Sequence, residues 1–208
     1  MTDAKTLARA RHLVEDSLSE KRCSHVFAVT EEMRLLARVF ELSEEENDLL
    51  LAALLHDITK EKTLEAQLQL CAEYGIILSA EDRAVPKGLH AITGAAFAAR
   101  EFSLSAPFAD ALRWHTTGRA NMTLYDKLLF LADYIEKTRT WGPCRALRRL
   151  FWKQIKSAKT REEKEDVLNH VVRVGLDSTL QDLLEEERFI HPDTVAARND
   201  LLYREANR

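Results

Sequence analysis

The stretch LLLAALLHDITK, Leu49 to Lys60, decides how this chain folds. Its first seven residues are apolar on every side of a helix, so a helix formed here has no wet face and must run through the middle of a core. His56 and Asp57 follow at once. Burying a carboxylate there is unfavourable by several kcal/mol unless something positive compensates, and no basic residue lies in the run before it. A divalent cation is the natural compensator.

Working outward, Ser43 with Glu46 reads as a capping box that opens this helix, predicted over Glu44 to about Thr59. Upstream, Val26, Val29, Met33, Leu36, Ala37 and Phe40 recur at three- and four-residue steps and make one apolar stripe. Downstream, Gly75 suits the stop of a helix over about Thr63 to Tyr74. The Ala- and Gly-rich segment Ala91 to Ala99 suits close helix packing. Pro107 starts a helix reaching Trp114 or His115, with Gly118 ending it. Thr123 caps another, carrying Leu124, Leu128, Leu131, Ala132 and Ile135 on one face. Helical pattern continues from about Cys144 to Leu184, and Asp193 to Arg204 forms a short last helix. There is no alternating strand pattern, hairpin signal, repeat or low-complexity linker. The expectation is one all-α domain over residues 1–208, with a metal-binding core at about 21–140 and a helical extension at about 141–208.

Composition narrows the function classes. The chain has 208 residues, 46% hydrophobic and 31% charged, with a net charge of -4. That mildly acidic balance gives no general reason to expect nucleic acid or an anionic membrane as partner. Cys23, Cys71 and Cys144 lie far apart and show no metal-binding or redox spacing, as reduced thiols would. The longest apolar run is about a third of a membrane span, and the N-terminus lacks a signal-peptide core. A soluble, cytoplasmic protein is expected.

Two neighbours on a helix point about 100° apart, so His56 and Asp57 can reach one ion only at a helix end or distorted turn. Ile58-Thr59-Lys60 offers such an end. His25 shares a face with Val29 and Met33 and points inward. Asp133 lies in the apolar helix LLFLADYI, His90 opens the Ala-rich helix, and His115 closes the Pro107 helix. Each has an ordinary explanation: a hydrogen-bonded core histidine for His25, an i,i+4 pair with Lys137 for Asp133, and helix-terminal positions for His90 and His115. Their order and context, each on its own helix, favour a metal site. His12, His170 and His191 read as structural or surface residues.

The series His25, His56-Asp57, Asp133 resembles the HD superfamily of metal-dependent phosphohydrolases. The stretches LLLAALLHDITK, GLHAITGA, RWHTTGRANMTLYDKLLFLADYIEKTR and FIHPDTVAARNDLL resemble the YqeK-type symmetrical diadenosine tetraphosphate hydrolases, from about Lys21 to Leu202. His115 to Arg139 is the most specific part. The resemblance implies a helical fold, an iron-containing site and hydrolysis of diadenosine tetraphosphate to two ADP. Two departures stand out: Lys137 replaces the proline usual after Tyr-Ile-Glu, and Trp141 to Lys164 is longer and more basic than expected.

On this reading His25, His56, Asp57 and Asp133 bind one ion through donors that suit iron, manganese, cobalt or zinc. Asp57 has a second oxygen that could bridge to another ion supported by His90 and His115; with one ion only, those histidines face the substrate phosphates. Asp57 and Lys60 are the catalytic candidates. Arg22, His90, His115, Arg119 and Arg139 are the candidates for gripping phosphate. The run Arg145 to Lys156 combines basic and aromatic residues, but Leu147, Leu150, Phe151 and Ile155 make a core-facing stripe within it, and nucleic-acid binding is not expected. The partner is a small nucleotide, and the chain is a monomer or a homodimer. The alternatives are an HD hydrolase of another nucleotide and a non-catalytic nucleotide-binding module.

Overall fold

The computed structural model describes residues 2–207, and among these it shows α-helices, turns and no strand. In chain order the helices are α1 (Ala4–Ser17), α2 (Glu20–Val39), α3 (Glu46–Leu55), α4 (Leu64–Glu73) and α5 (Ala80–Ala84). After a single 3-10 turn at Pro86–Gly88 come α6 (Leu89–Phe102), α7 (Ala106–Trp114), α8 (Leu124–Ile135), α9 (Gly142–Gln154), α10 (Arg161–Glu185) and α11 (Pro192–Ala206).

Helix α3 is the axis of the fold. Every residue from Leu49 to Leu55 is buried, and α1, α2, α6, α7 and α8 all pack around it. This follows from an all-round apolar sequence, which can satisfy itself only by being enclosed. Helix α2 lays Val26, Val29, Met33 and Leu36 on it, each wholly buried. Helix α6 comes closest through Gly94, where a Cβ would lie 3.6 Å from the carbonyl oxygens of Leu55 and His56. The Ala- and Gly-rich composition of α6 permits that approach. It also places His90, one turn upstream, beside the end of α3.

Helices α9 and α10 pack on α8, and α11 packs on α10. Cys144, Leu147, Phe151, Leu176, Ala197 and Leu201 belong to the same continuous apolar core as α2 and α3. Burying a side chain such as Phe151 completely contributes about 1.5–3 kcal/mol. A smaller cluster of Cys71, Leu78, Leu89 and Ile92 sits beneath α4. The fold is therefore a single all-α domain.

Two local expectations are corrected. Ser43 and Glu46 do not form a capping box: Glu45 is the N-cap of α3 and makes no side-chain cap bond, because the Glu46 carboxylate is taken by Arg34 on α2 at 2.9 Å. The same helix ends at Leu55 rather than near Thr59. Residues 56–61 continue as tight turns, fixed by Thr59 Oγ1 donating to the His90 carbonyl at 3.0 Å and by Gln67 Nε2 donating to the Thr59 carbonyl. Capping boxes stand instead at Ser79–Asp82, Thr123–Asp126 and Thr160–Glu163. No described helix is long and apolar enough to cross a membrane.

Candidate metal centre

Helix ends converge on one point beside the C-terminus of α3. His56 is the C-cap of α3 and Asp57 the next residue; His115 is the C-cap of α7; His90 lies in the first turn of α6. His25 comes from α2 and Asp133 from the last turns of α8. The four imidazoles form a chain, with ring centroids 5.4 Å apart for His25–His56, 5.2 Å for His56–His115 and 5.1 Å for His90–His115.

These six residues fall into two ligand clusters, His25–His56–Asp133 and Asp57–His90–His115, the donor atoms in each lying within 4.8 Å of one another. Asp57 faces both. Its Oδ2 lies 3.8 Å from His25 Nε2 and 3.6 Å from His56 Nε2, while its Oδ1 lies 3.1 Å from His90 Nε2 and 3.8 Å from His115 Nε2. Donors bonded to one transition-metal ion at about 2.0–2.2 Å stand roughly 3–3.5 Å apart. The observed spacings are close to that, so the clusters need little adjustment to hold ions.

The tautomers agree with ligation. His56, His90 and His115 each donate from Nδ1 to a backbone carbonyl three residues earlier, Ala53, Lys87 and Leu112, all at 2.7 Å. A carbonyl can only accept, so in each neutral ring the proton is on Nδ1 and the Nε2 lone pair is turned into the site. His56 Nε2 is fully enclosed and has no hydrogen-bond partner; a cation is the group it lacks. His25 is set the same way by a carboxylate, its Nδ1 lying 3.2 Å from Glu136 Oε1. Its Nε2 is 3.0 Å from Asp133 Oδ1 but has no aligned partner.

Burial pushes His56 and His90 down to about 4, keeping both neutral and able to ligate at ordinary pH. Burial also opposes charge on His25, yet the adjacent carboxylates of Asp133 and Glu136 outweigh it and raise that ring to about 9. A cation at this cluster therefore displaces a proton. For Asp57 the burial penalty is overcome by His56, His115, His90 and Lys60, which hold the carboxyl well below the usual carboxylate range. Arg139 and His25 do the same for Asp133.

Basic residues from other elements share in this compensation, alongside the divalent cation that the sequence suggested as the natural compensator. Arg22 Nη1 pairs with Asp57 Oδ2 at 2.7 Å, and Arg139 Nη2 with Asp133 Oδ1 at 2.6 Å. Lys60 Nζ lies 3.0 Å from His90 Nε2 and 3.8 Å from Asp57 Oδ1. Lys137, the sequence-based partner of Asp133, is exposed and Arg139 takes its place.

Arg119 is not brought to the centre. Its guanidinium is committed to Asp126 at 2.9 Å and Asp110 at 3.3 Å, tying the α7–α8 loop to both helices. Glu136 and Thr116 were missed. Thr116 Oγ1 lies 3.3 Å from His115 Nε2; Glu136 is wholly buried behind His25. The one signal for Glu136 was a carboxylate three residues beyond Asp133 in an otherwise apolar stretch.

A cleft of about 490 Å³ opens from Lys60 and His90. Lys62, Lys87 and Arg188 line it, Phe189 and Val85 form part of its outer wall, and no carboxylate of the described residues contributes to it. His191 and Thr194 also line it, so the start of α11 forms part of its wall. His191 otherwise acts as the N-cap of α11, accepting from Asp193 N–H.

Comparison with known proteins agrees with this geometry. The profile of the HD domain family matches residues 22–138, a span that contains all six candidate ligands. A protein of Halalkalibacterium halodurans called "Bis(5'-nucleosyl)-tetraphosphatase, symmetrical" is 32% identical over 197 residues, 93% of this chain and 96% of the relative. The protein of the same name from Bacillus subtilis is 28% identical, covering 91% of this chain and 94% of its own. A solved structure from Clostridium acetobutylicum, described as a predicted HD superfamily hydrolase involved in NAD metabolism, superposes with a TM-score of 0.81 at 28% identity. That match covers 95% of this chain and 97% of the other. Since the profile spans more than half of the sequence and the relatives align nearly end to end, the chain belongs to the HD domain family, in the group of the symmetrical bis(5'-nucleosyl)-tetraphosphatases.

Proposed function

We propose that this chain is a metal-dependent phosphohydrolase that cleaves diadenosine tetraphosphate symmetrically into two ADP. The observation that carries the reading is the pair of His/Asp clusters sharing Asp57, with His90 of the second cluster also lining a cleft that has four cationic side chains and, among the described residues, no carboxylate. A phosphate chain ending in a nucleoside suits such a cleft: cations line its walls and apolar side chains its outer end. The names of the relatives at 32%, 28% and 33% identity support the same substrate.

His25, His56, Asp57 and Asp133 would hold one ion, and Asp57, His90 and His115 a second. The donor set of imidazole and carboxylate suits iron, which we propose as the native metal, and also manganese, cobalt and zinc. Bound ions supply Lewis acidity to a phosphoryl oxygen and lower the pKa of water. The residues around them orient the phosphates. Lys60, its pKa lowered by burial, presents a cation where the cleft meets the second cluster. Arg22 and Arg139, with side chains 30% and 35% exposed, stand on the first cluster's carboxylates. Each guanidinium keeps further N–H donors for phosphate oxygens as charge develops in transfer. Three buried, unbridged cysteines suit a reducing cytoplasm, where we place the protein.

Product analysis tests the assignment. Protein reloaded with iron or manganese is given diadenosine tetraphosphate beside an Asp57→Ala control, and the nucleotides are resolved by chromatography. ADP as the sole product, absent in the control, is expected. ATP plus AMP would overturn symmetrical cleavage, and metal uptake without turnover would favour a different nucleotide.

A further inference from the structure

Helix α9 carries most of the basic stretch Arg145 to Lys156, and the hydrolytic chemistry makes no use of it. Arg145 and Arg149 on that helix are exposed, but Arg148 turns inward. Its Nε and Nη2 donate to the carbonyls of Ile135 and Glu136, and Nη2 also donates to the Arg139 carbonyl at 2.9 Å. These oxygens belong to the last turn of α8 and the turn beyond it, where helix carbonyls lose their internal partners.

The same turn presents two side chains to the metal centre. Glu136 reaches back to His25 Nδ1 at 3.2 Å, its carboxylate further held by Thr138 Oγ1 at 2.6 Å. Arg139 reaches Asp133 at 2.6 Å. Helix α9 is itself anchored: Cys144, Leu147 and Phe151 are buried, and Trp152 Nε1 donates to Glu32 Oε1 at 2.9 Å, on the helix that carries His25. A planar guanidinium can bridge several carbonyls at once, which a lysine ammonium does poorly.

We propose that Arg148 is a positioning residue of the metal centre, acting through the α8–α9 turn on Glu136 and thereby on the orientation of His25. Outer partners of ligating histidines fix the tautomer and ring direction, and losing them weakens metal binding by about 10- to 100-fold. The inference rests on the clusters holding metal. It extends the functional unit beyond the matched residues 22–138 to a helix outside them.

The test is titration of metal-stripped protein with Co²⁺, read as a dissociation constant and as the visible absorption spectrum, with melting curves of the same samples before metal. Glu136→Gln and Arg148→Ala should each weaken cobalt binding about 10- to 100-fold and shift the absorption bands. Arg148→Lys should lie between them and wild type, and Arg149→Ala should match wild type. Because the two residues act in series, the double variant should bind no more weakly than the worse single one. Should Arg148→Ala fail to fold, Arg148→Lys carries the test. Lowered melting of Arg148→Ala or Arg148→Lys with cobalt affinity and spectrum unchanged would overturn the proposal, as would losses that add fully in the double variant. A wild type that takes up no cobalt would overturn the metal reading itself and this proposal with it.

Discussion

Gly118 is the position at which one added methyl group should disturb the cleft most. It follows α7 with φ +67°, and its N–H donates to the Trp114 carbonyl at 2.8 Å. A Cβ there would stand 2.8 Å from Ala197 Cβ and 3.4 Å from Met122 Sδ. Ala197 is wholly buried on α11 and its methyl has no rotamer to escape into, so α11 itself must yield. The left-handed conformation adds about 1–2 kcal/mol for a residue with a Cβ, and overpacking a filled core adds about 1–3 kcal/mol. Gly118→Ala should therefore lose about 2–5 kcal/mol, lowering Tm by roughly 4–20 °C in a chain of this size.

Thermal and urea melts measure that loss, and a double-variant cycle divides it. Ala197→Gly removes the atom in the way, so Gly118→Ala/Ala197→Gly should be less destabilised than the sum of the two single variants. The left-handed part and the helix cost of the new glycine, about 1 kcal/mol, should remain. Because α11 brings His191 and Thr194 to the cleft, nucleotide KM should rise in Gly118→Ala while metal content stays normal. Stability within about 0.5 kcal/mol of wild type, or strict additivity in the cycle, would refute the packing argument.

Other consequences concern the metal centre and the cleft. His56 and His90 have folded pKa values of about 4 against about 6.5 unfolded, so metal-stripped protein should lose stability as pH falls from about 6.5 toward 4. His25, raised to about 9, contributes stability below about 6.5 that is lost as pH rises toward 9. Considering these three groups, melting temperature against pH should peak near 6.5 and fall more steeply on the acid side, and a flat profile from 4.5 to 8.5 would contradict the assigned environments. Metal analysis should find one ion fewer in His90→Ala than in wild type and next to none in Asp57→Ala, since Asp57 faces both clusters; equal contents would argue against its shared role. Phe189→Ala should raise KM several-fold with kcat little changed, because the ring lines the outer cleft; an unchanged KM would remove Phe189 from the substrate's path.

Much of the architecture is local and so was readable in the chain. The all-round apolar run Leu49–Leu55 demanded enclosure, and it is the axis of the fold. Gly75 and Gly118, expected as stops, both have positive φ, and Thr123 caps α8 as its position suggested. The six candidate ligands share a property that sequence records well: each is a polar or ionisable residue set on an apolar face of a helix or at a helix end. Such residues are unfavourable there without a purpose, which makes them conspicuous.

Partnerships across the fold were not readable in the same way. Glu46 reads as a cap until Arg34 arrives from α2 to claim it. Arg119 follows a family stretch, yet Asp126 and Asp110 hold it away from the centre. Glu136 and Arg148 show their roles only when α8, α9 and α2 are assembled. Helical period, capping and burial depend on neighbours within a turn or two, so the chain alone determined the fold class and the helices that carry the candidate ligands. Which carboxylate oxygen faces which histidine, and which arginine faces which carboxylate, depends on angstrom-scale contacts between residues distant in sequence, and the tertiary packing alone decided those.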